Sequence, residues 1–112
     1  MHTTILAGCM VALVACLPSI AAAASAAAVA AGKEKAAACA VCHGLDGLSR
    51  NPDAPNLAGD NADYLIKQLK AFKTGSRQDE RMSIMAEGLG DADMADLAAW
   101  YSSIKLTAQM PQ

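Results

Sequence analysis

Ala36-Ala37-Ala38-Cys39-Ala40-Val41-Cys42-His43-Gly44 is the stretch on which the reading of this chain turns. Two thiols separated by three positions lie about one turn apart on a helix and share a face. His43 follows at once and brings an imidazole, a common metal ligand, next to them. Alanine crowds the chain from Ala21 to Ala40 and predicts a first helix over 27–40, with Lys33-Glu34-Lys35 on a solvated face. Gly32 interrupts that run, and a glycine inside a helix costs about 1 kcal/mol relative to alanine. Its presence is explained if another helix crosses there at close range.

Cys-x-x-Cys-His is the attachment pattern of a c-type haem, in which both thiols add to the vinyl groups and the histidine takes an axial position on the iron. Three other chemistries use paired cysteines. A thioredoxin-like redox pair calls for a βαβ pattern, which is absent here. Zinc calls for further Cys or His ligands, and a plain Cys39–Cys42 disulfide remains as the third. A second axial ligand must come from elsewhere in the chain, and His2 is the only other histidine. Methionine sulfur is the natural partner, with Met82, Met85, Met94 and Met110 as candidates. Met94 belongs to a helical stripe and Met110 to the tail, which leaves Met82 and Met85.

Two more helices are legible, and no segment alternates with the period of two that marks an amphipathic strand, so the fold class is all-α. One starts with Asp60 or Asn61 as N-cap, carries Tyr64, Leu65, Gln68, Leu69 and Phe72 on one side, and stops at Gly75. The other runs from Asp91 to about Lys105, with Met94, Leu97, Ala98, Tyr101 and Ile104 as its stripe and Trp100 beside it. Gly44 to Pro55 reads as an irregular loop over the site, and Ser76 to Gly90 as a polar stretch with a Met pair and a short helical turn.

The chain has 112 residues, and residues 1–24 read as a secretory signal peptide: apolar from Thr3 to Leu17, broken at Pro18-Ser19, then small residues suited to cleavage. The apolar run is shorter than the roughly 20 residues that span a bilayer. Leu13-Val14-Ala15-Cys16 is a lipobox-like alternative, but a soluble exported protein is the favoured reading. Residues 25–112 then form one small domain that keeps only Cys39 and Cys42. Hydrophobic content is 54% but aromatics are 4%, so the polypeptide is short of bulky core groups. At that size a bound cofactor adds considerably to stability. The net charge of −2, with interspersed signs, gives no indication of nucleic-acid binding.

Taken together, Cys39-Ala40-Val41-Cys42-His43-Gly44, Pro55-Asn56-Leu57-Ala58-Gly59, Tyr64-Leu65-Ile66-Lys67-Gln68-Leu69, Phe72-Lys73-Thr74-Gly75-Ser76-Arg77 and Leu97-Ala98-Ala99-Trp100-Tyr101 resemble the class I bacterial cytochromes c, in particular the single-haem, cytochrome c4/c5-type (c553-like) module. The resemblance implies three main helices and irregular loops wrapped around one haem c. It implies thioethers at Cys39 and Cys42, His43 as proximal ligand, a distal methionine at Met82 rather than Met85, and a Pro55 carbonyl that accepts a hydrogen bond from the His43 ring. It places Gly32 against Leu97 and Trp100, and Tyr64, Leu69 and Phe72 around the macrocycle. Arg77 reads as a surface residue or a propionate partner, and Lys67, Lys70 and Lys73 as a solvated face or a positive patch. Trp100 departs from the tyrosine common in such proteins, and dihaem cytochrome c4 has two modules where this chain has one.

With both axial positions filled by protein, the expected function is a periplasmic electron carrier, not an enzyme, between donors and acceptors such as a quinol-oxidising membrane complex, a terminal oxidase or a periplasmic dehydrogenase. The alternatives are a fixed haem subunit of a dehydrogenase or oxidase, or a ligand-binding haem sensor.

Overall fold

The computed structural model describes residues 20–112, with side chains from Ala26 onward; Cys9, Cys16 and nearly all of the expected signal segment lie outside the described residues. The described chain is helical with no strand, as its periodicity predicts. In order come α1 (Ile20–Lys35), a 3-10 turn (Ala36–Ala38), α2 (Ala40–His43), α3 (Ala62–Thr74), α4 (Met82–Glu87) and α5 (Asp91–Ser103). Among the described residues, no helix is long and apolar enough to cross a membrane.

The first helix corrects the sequence expectation at both ends. It begins at Ile20 rather than Ala27, because the alanine-rich run favours helix on both sides of Ser25. It also stops at Lys35 rather than continuing to Ala40, and the chain tightens so that the Cys39 N–H bonds the Ala36 carbonyl at 2.9 Å. A separate turn, α2, then carries Cys42 and His43, closed by bonds from the His43 N–H to the Cys39 carbonyl and from the Gly44 N–H to the Ala40 carbonyl, both 2.9 Å.

Helices α1 and α5 cross at Gly32. A Cβ there would collide with the Asp96 carbonyl and lie 2.9 Å from Trp100 Cβ, so the costly glycine is explained by backbone approaching backbone. Three residues on, Lys35 reaches Asp93 at 2.8 Å and Asp96 at 2.6 Å and joins the end of α1 to the first two turns of α5. Helix α3 starts where expected, with the Asn61 side chain accepting the Tyr64 N–H at 3.1 Å, and ends at Gly75. Helix α5 opens with Asp93 accepting the Gly90 N–H at 2.9 Å.

The core joins Ala36 to Leu65 of α3 and to Leu97, Ala98 and Tyr101 of α5, with Leu57, Ile66, Leu69, Leu89 and Trp100 packed against it. Its buried members are few, and Tyr101 is the one aromatic among them, in keeping with the low aromatic content. Lys73 donates to the Leu89 carbonyl and Lys70 lies 3.4 Å from Asp91, so these lysines fasten α3 to the α4–α5 corner instead of forming a free positive patch.

Candidate functional site

An apolar cleft of about 430 Å³ opens beside this core, within the usual range of about 300–1,000 Å³ for small-molecule sites. Cys39, Cys42 and His43 line it together with Asp53 to Leu57 of the long loop. From α3 come Tyr64, Leu65, Gln68, Leu69 and Phe72, the whole stripe read from the sequence; Met82, Met85 and Leu89 come from α4 and beyond, and Leu97, Ala98 and Tyr101 from α5. Every sequence-predicted site residue, namely Cys39, Cys42, His43, Met82 and Pro55, is on this one cleft.

The His43 imidazole is buried, at 7% exposure, and its Nδ1–H donates to the Pro55 carbonyl at 2.8 Å. That bond sets the tautomer and leaves Nε2 with a free lone pair, the arrangement found when a backbone carbonyl orients a histidine for metal binding. Cys39 and Cys42 are not bridged to each other. Burial, and then the neighbouring Cys42, pushes the Cys39 thiol up. The described residues contain no strand, so the βαβ setting of a thioredoxin-like pair is absent among them. Among the described residues, no three His, Cys, Asp or Glu side chains converge as a metal-binding group.

The loop after His43 is held from several sides. The Ser49 hydroxyl donates to the Cys42 carbonyl at 2.8 Å, and the Ser49 N–H donates to Asn56 Oδ1 at 2.7 Å. Gly47 has φ of 70° and its carbonyl accepts the N–H groups of Leu57 and Ala58; a Cβ on it would lie 2.5 Å from Ala58 N. From α5, the buried Tyr101 hydroxyl donates to the Gly44 carbonyl at 3.1 Å and Trp100 Nε1–H donates to the Leu45 carbonyl at 2.9 Å. Burial pushes the Tyr101 phenol up, so it remains a donor across the working pH range. These clamps were not apparent in the sequence, where Trp100 and Tyr101 read only as packing residues.

The two methionines sit three positions apart on α4. Met82 is half-buried, whereas Met85 is 43% exposed. Arg77 stacks over the Phe72 ring at 4.5 Å and donates to Gln68 Oε1 at 2.7 Å at the cleft edge.

The chain matches the cytochrome c family over residues 29–105, a span that includes every wall of the cleft. It belongs to the cytochrome c family. It is 46% identical over 75 residues to cytochrome c-554(548) of Halomonas halodenitrificans, a match covering 64% of this chain and 90% of that protein. It is 43% identical over 79 residues to cytochrome c4 of Pseudomonas aeruginosa, covering 70% of this chain and 39% of the relative. The reduced recombinant cytochrome c4 of Pseudomonas stutzeri superposes with a TM-score of 0.65 at 42% identity, over 69% of this chain and 45% of that one. The chain thus spans nearly all of the first relative and less than half of the cytochrome c4 chains. Its fold is that of a class I cytochrome c, and as a family member it is a haem protein of electron transport, with covalent haem c, that carries electrons and is not an enzyme. The donor set fits that group: two unbridged thiols at one-turn spacing, an oriented buried imidazole and methionine sulfur share one apolar cleft.

Proposed function

We propose that this cytochrome holds a single haem c through thioethers at Cys39 and Cys42, with His43 and Met82 as axial ligands, and that it shuttles single electrons between larger redox proteins in the periplasm. The haem supplies reversible Fe(III)/Fe(II) exchange. The observation carrying this reading is the single cleft shared by the Cys-x-x-Cys-His turn, the His43–Pro55 bond and the α4 methionines.

The Pro55 carbonyl orients the His43 ring and strengthens its donor nitrogen. Met82, the more buried of the α4 methionines, would hold the iron together with His43, and with two side chains as its protein ligands the iron would have no site open to a substrate. That favours a carrier over a sensor. Leu65, Leu69, Phe72 and Leu97 exclude water, which limits solvent reorganisation when charge changes, and methionine–histidine ligation raises the potential. Docking to a quinol-oxidising complex, a terminal oxidase or a periplasmic dehydrogenase would be transient. The net charge of −2 and the tethering of Lys70 and Lys73 predict only modest electrostatic steering. Export rests on the 1–24 signal segment, with simple cleavage favoured over lipidation at Cys16.

The test is expression of the chain in cells with a c-type maturation system. Haem that stays with the polypeptide under denaturing conditions, at one per chain by pyridine haemochrome, supports attachment, and alanine at Cys39 or Cys42 removes one thioether. The weak far-red band of Met–Fe(III) ligation should vanish in Met82→Ala and survive in Met85→Ala. Absence of covalent haem despite competent maturation refutes the proposal.

A further inference from the structure

Helix α4 is only six residues long, far below the length at which a helix holds itself, yet it presents two methionines to the cleft. Met82 and Met85, three residues apart, are about 60° apart around its axis, so a modest rotation exchanges which one points inward. Two contacts oppose that rotation. At the far end Ala86, fully buried and on the Met82 face, anchors the helix against its neighbours. At the near end, Asp79 Oδ1 accepts the N–H groups of both Arg81 and Met82, each at 2.9 Å. The same turn is closed reciprocally, because Ser83 Oγ accepts the Asp79 N–H at 3.2 Å and the Ser83 N–H donates to the Asp79 carbonyl at 3.0 Å. Arg81 itself provides no side-chain cap, so Asp79 is the group that caps α4.

We propose that Asp79 is a positioning residue that keeps Met82 in place as the distal ligand, by holding the Met82 backbone N–H and with it the rotation of α4. The proposal rests on the assignment of Met82 made above. Asp79 lines the cleft beside Met82, and the role proposed for it runs through the backbone of the residue it holds.

The test uses the matured haem protein. Replacing an N-cap aspartate by alanine shifts a local equilibrium by roughly fivefold. In Asp79→Ala the fraction with the methionine detached should rise by about that factor, read as a roughly fivefold gain in apparent affinity of the reduced protein for carbon monoxide and a weaker far-red band in the oxidised one. Asp79→Asn keeps an oxygen that accepts the same two bonds and should restore the wild-type spectrum and carbon monoxide affinity. Ser83→Ala, which removes the reciprocal bond, should move both readouts the same way by a smaller factor, and it carries the test if Asp79→Ala does not mature. If Met82→Ala abolishes the band while Asp79→Ala and Ser83→Ala match wild type, the ligand assignment stands and the role of Asp79 is refuted. Equal loss in Asp79→Asn and Asp79→Ala also refutes it, since charge rather than the accepted bonds would then matter. If Met85→Ala and not Met82→Ala loses the band, the ligand assignment itself fails.

Discussion

Gly32→Ala sets two effects of opposite sign against each other. On an isolated helix the change is favourable, by about 1 kcal/mol from helix propensity. In this fold the new Cβ would run into the Asp96 carbonyl and lie 2.9 Å from Trp100 Cβ. Overpacking typically costs about 1–3 kcal/mol, and the upper end applies because the obstacle is the backbone of α5 and not the tip of a flexible side chain. Any separation of α1 from α5 also strains the reach of Lys35 to Asp93 and Asp96. The net expectation is a loss of about 2 kcal/mol, or roughly 8–16 °C in Tm for a domain of this size. Urea unfolding of the oxidised haem protein, followed by far-UV circular dichroism, should show a lower midpoint with an unchanged slope. Gly88→Ala is the matched control: Gly88 has φ of −80° and nothing within 4 Å of its added Cβ, so that variant should be neutral or slightly more stable. A Gly32→Ala midpoint equal to or above wild type would mean that propensity outweighs the crossing, and the account of the α1–α5 contact would be wrong.

Tyr101→Phe removes one of the two donors to the buried Gly44 carbonyl, which keeps the Gly47 N–H, and should cost about 1 kcal/mol in the same unfolding assay, with covalent haem retained. Asp93 is held below the usual carboxylate range, first by the hydrogen bond from Lys35 and then by the Gly90 N–H. Its contribution is therefore present above the unfolded value of about 3.9 and is lost as pH falls through the lower folded value. Lys35 is raised, first by its hydrogen bond to Asp93 and then by that to Asp96, so its part is present below about 10.4 and lost as pH rises through the higher folded value. Stability against pH in Asp93→Asn should accordingly lose part of its acid limb while the neutral plateau stays flat, and an unchanged acid limb would count against the pair. Gly47→Ala forces a side chain into a left-handed turn against Ala58 N and should lower the yield of folded haem protein, which the absorbance of purified periplasmic fractions measures.

Local chemistry made the haem site legible before any fold was known. A spacing of three between Cys39 and Cys42, with His43 adjacent, constrains the attachment geometry within one turn of backbone, and no distant residue is needed to read it. Helix α3 was legible from its Asn61 cap, Gly75 stop and 3.6-residue apolar period, and α5 from the aspartates of its first turn, all of them local signals. The α3 stripe from Tyr64 to Phe72 was correctly seen as one face, and that face lines the cleft. Only the tertiary structure decided where the first helix ends, because propensity favours continuing through Ala36–Ala38 while packing requires the chain to tighten there and turn Cys42 and His43 into the cleft. It likewise decided that Trp100 and Tyr101 clamp the carbonyls of Leu45 and Gly44, residues 55 and 57 positions away. Bonds over such separations leave no periodic trace in a sequence, since they depend on how α5 crosses α1, and that crossing is set by the space left at Gly32.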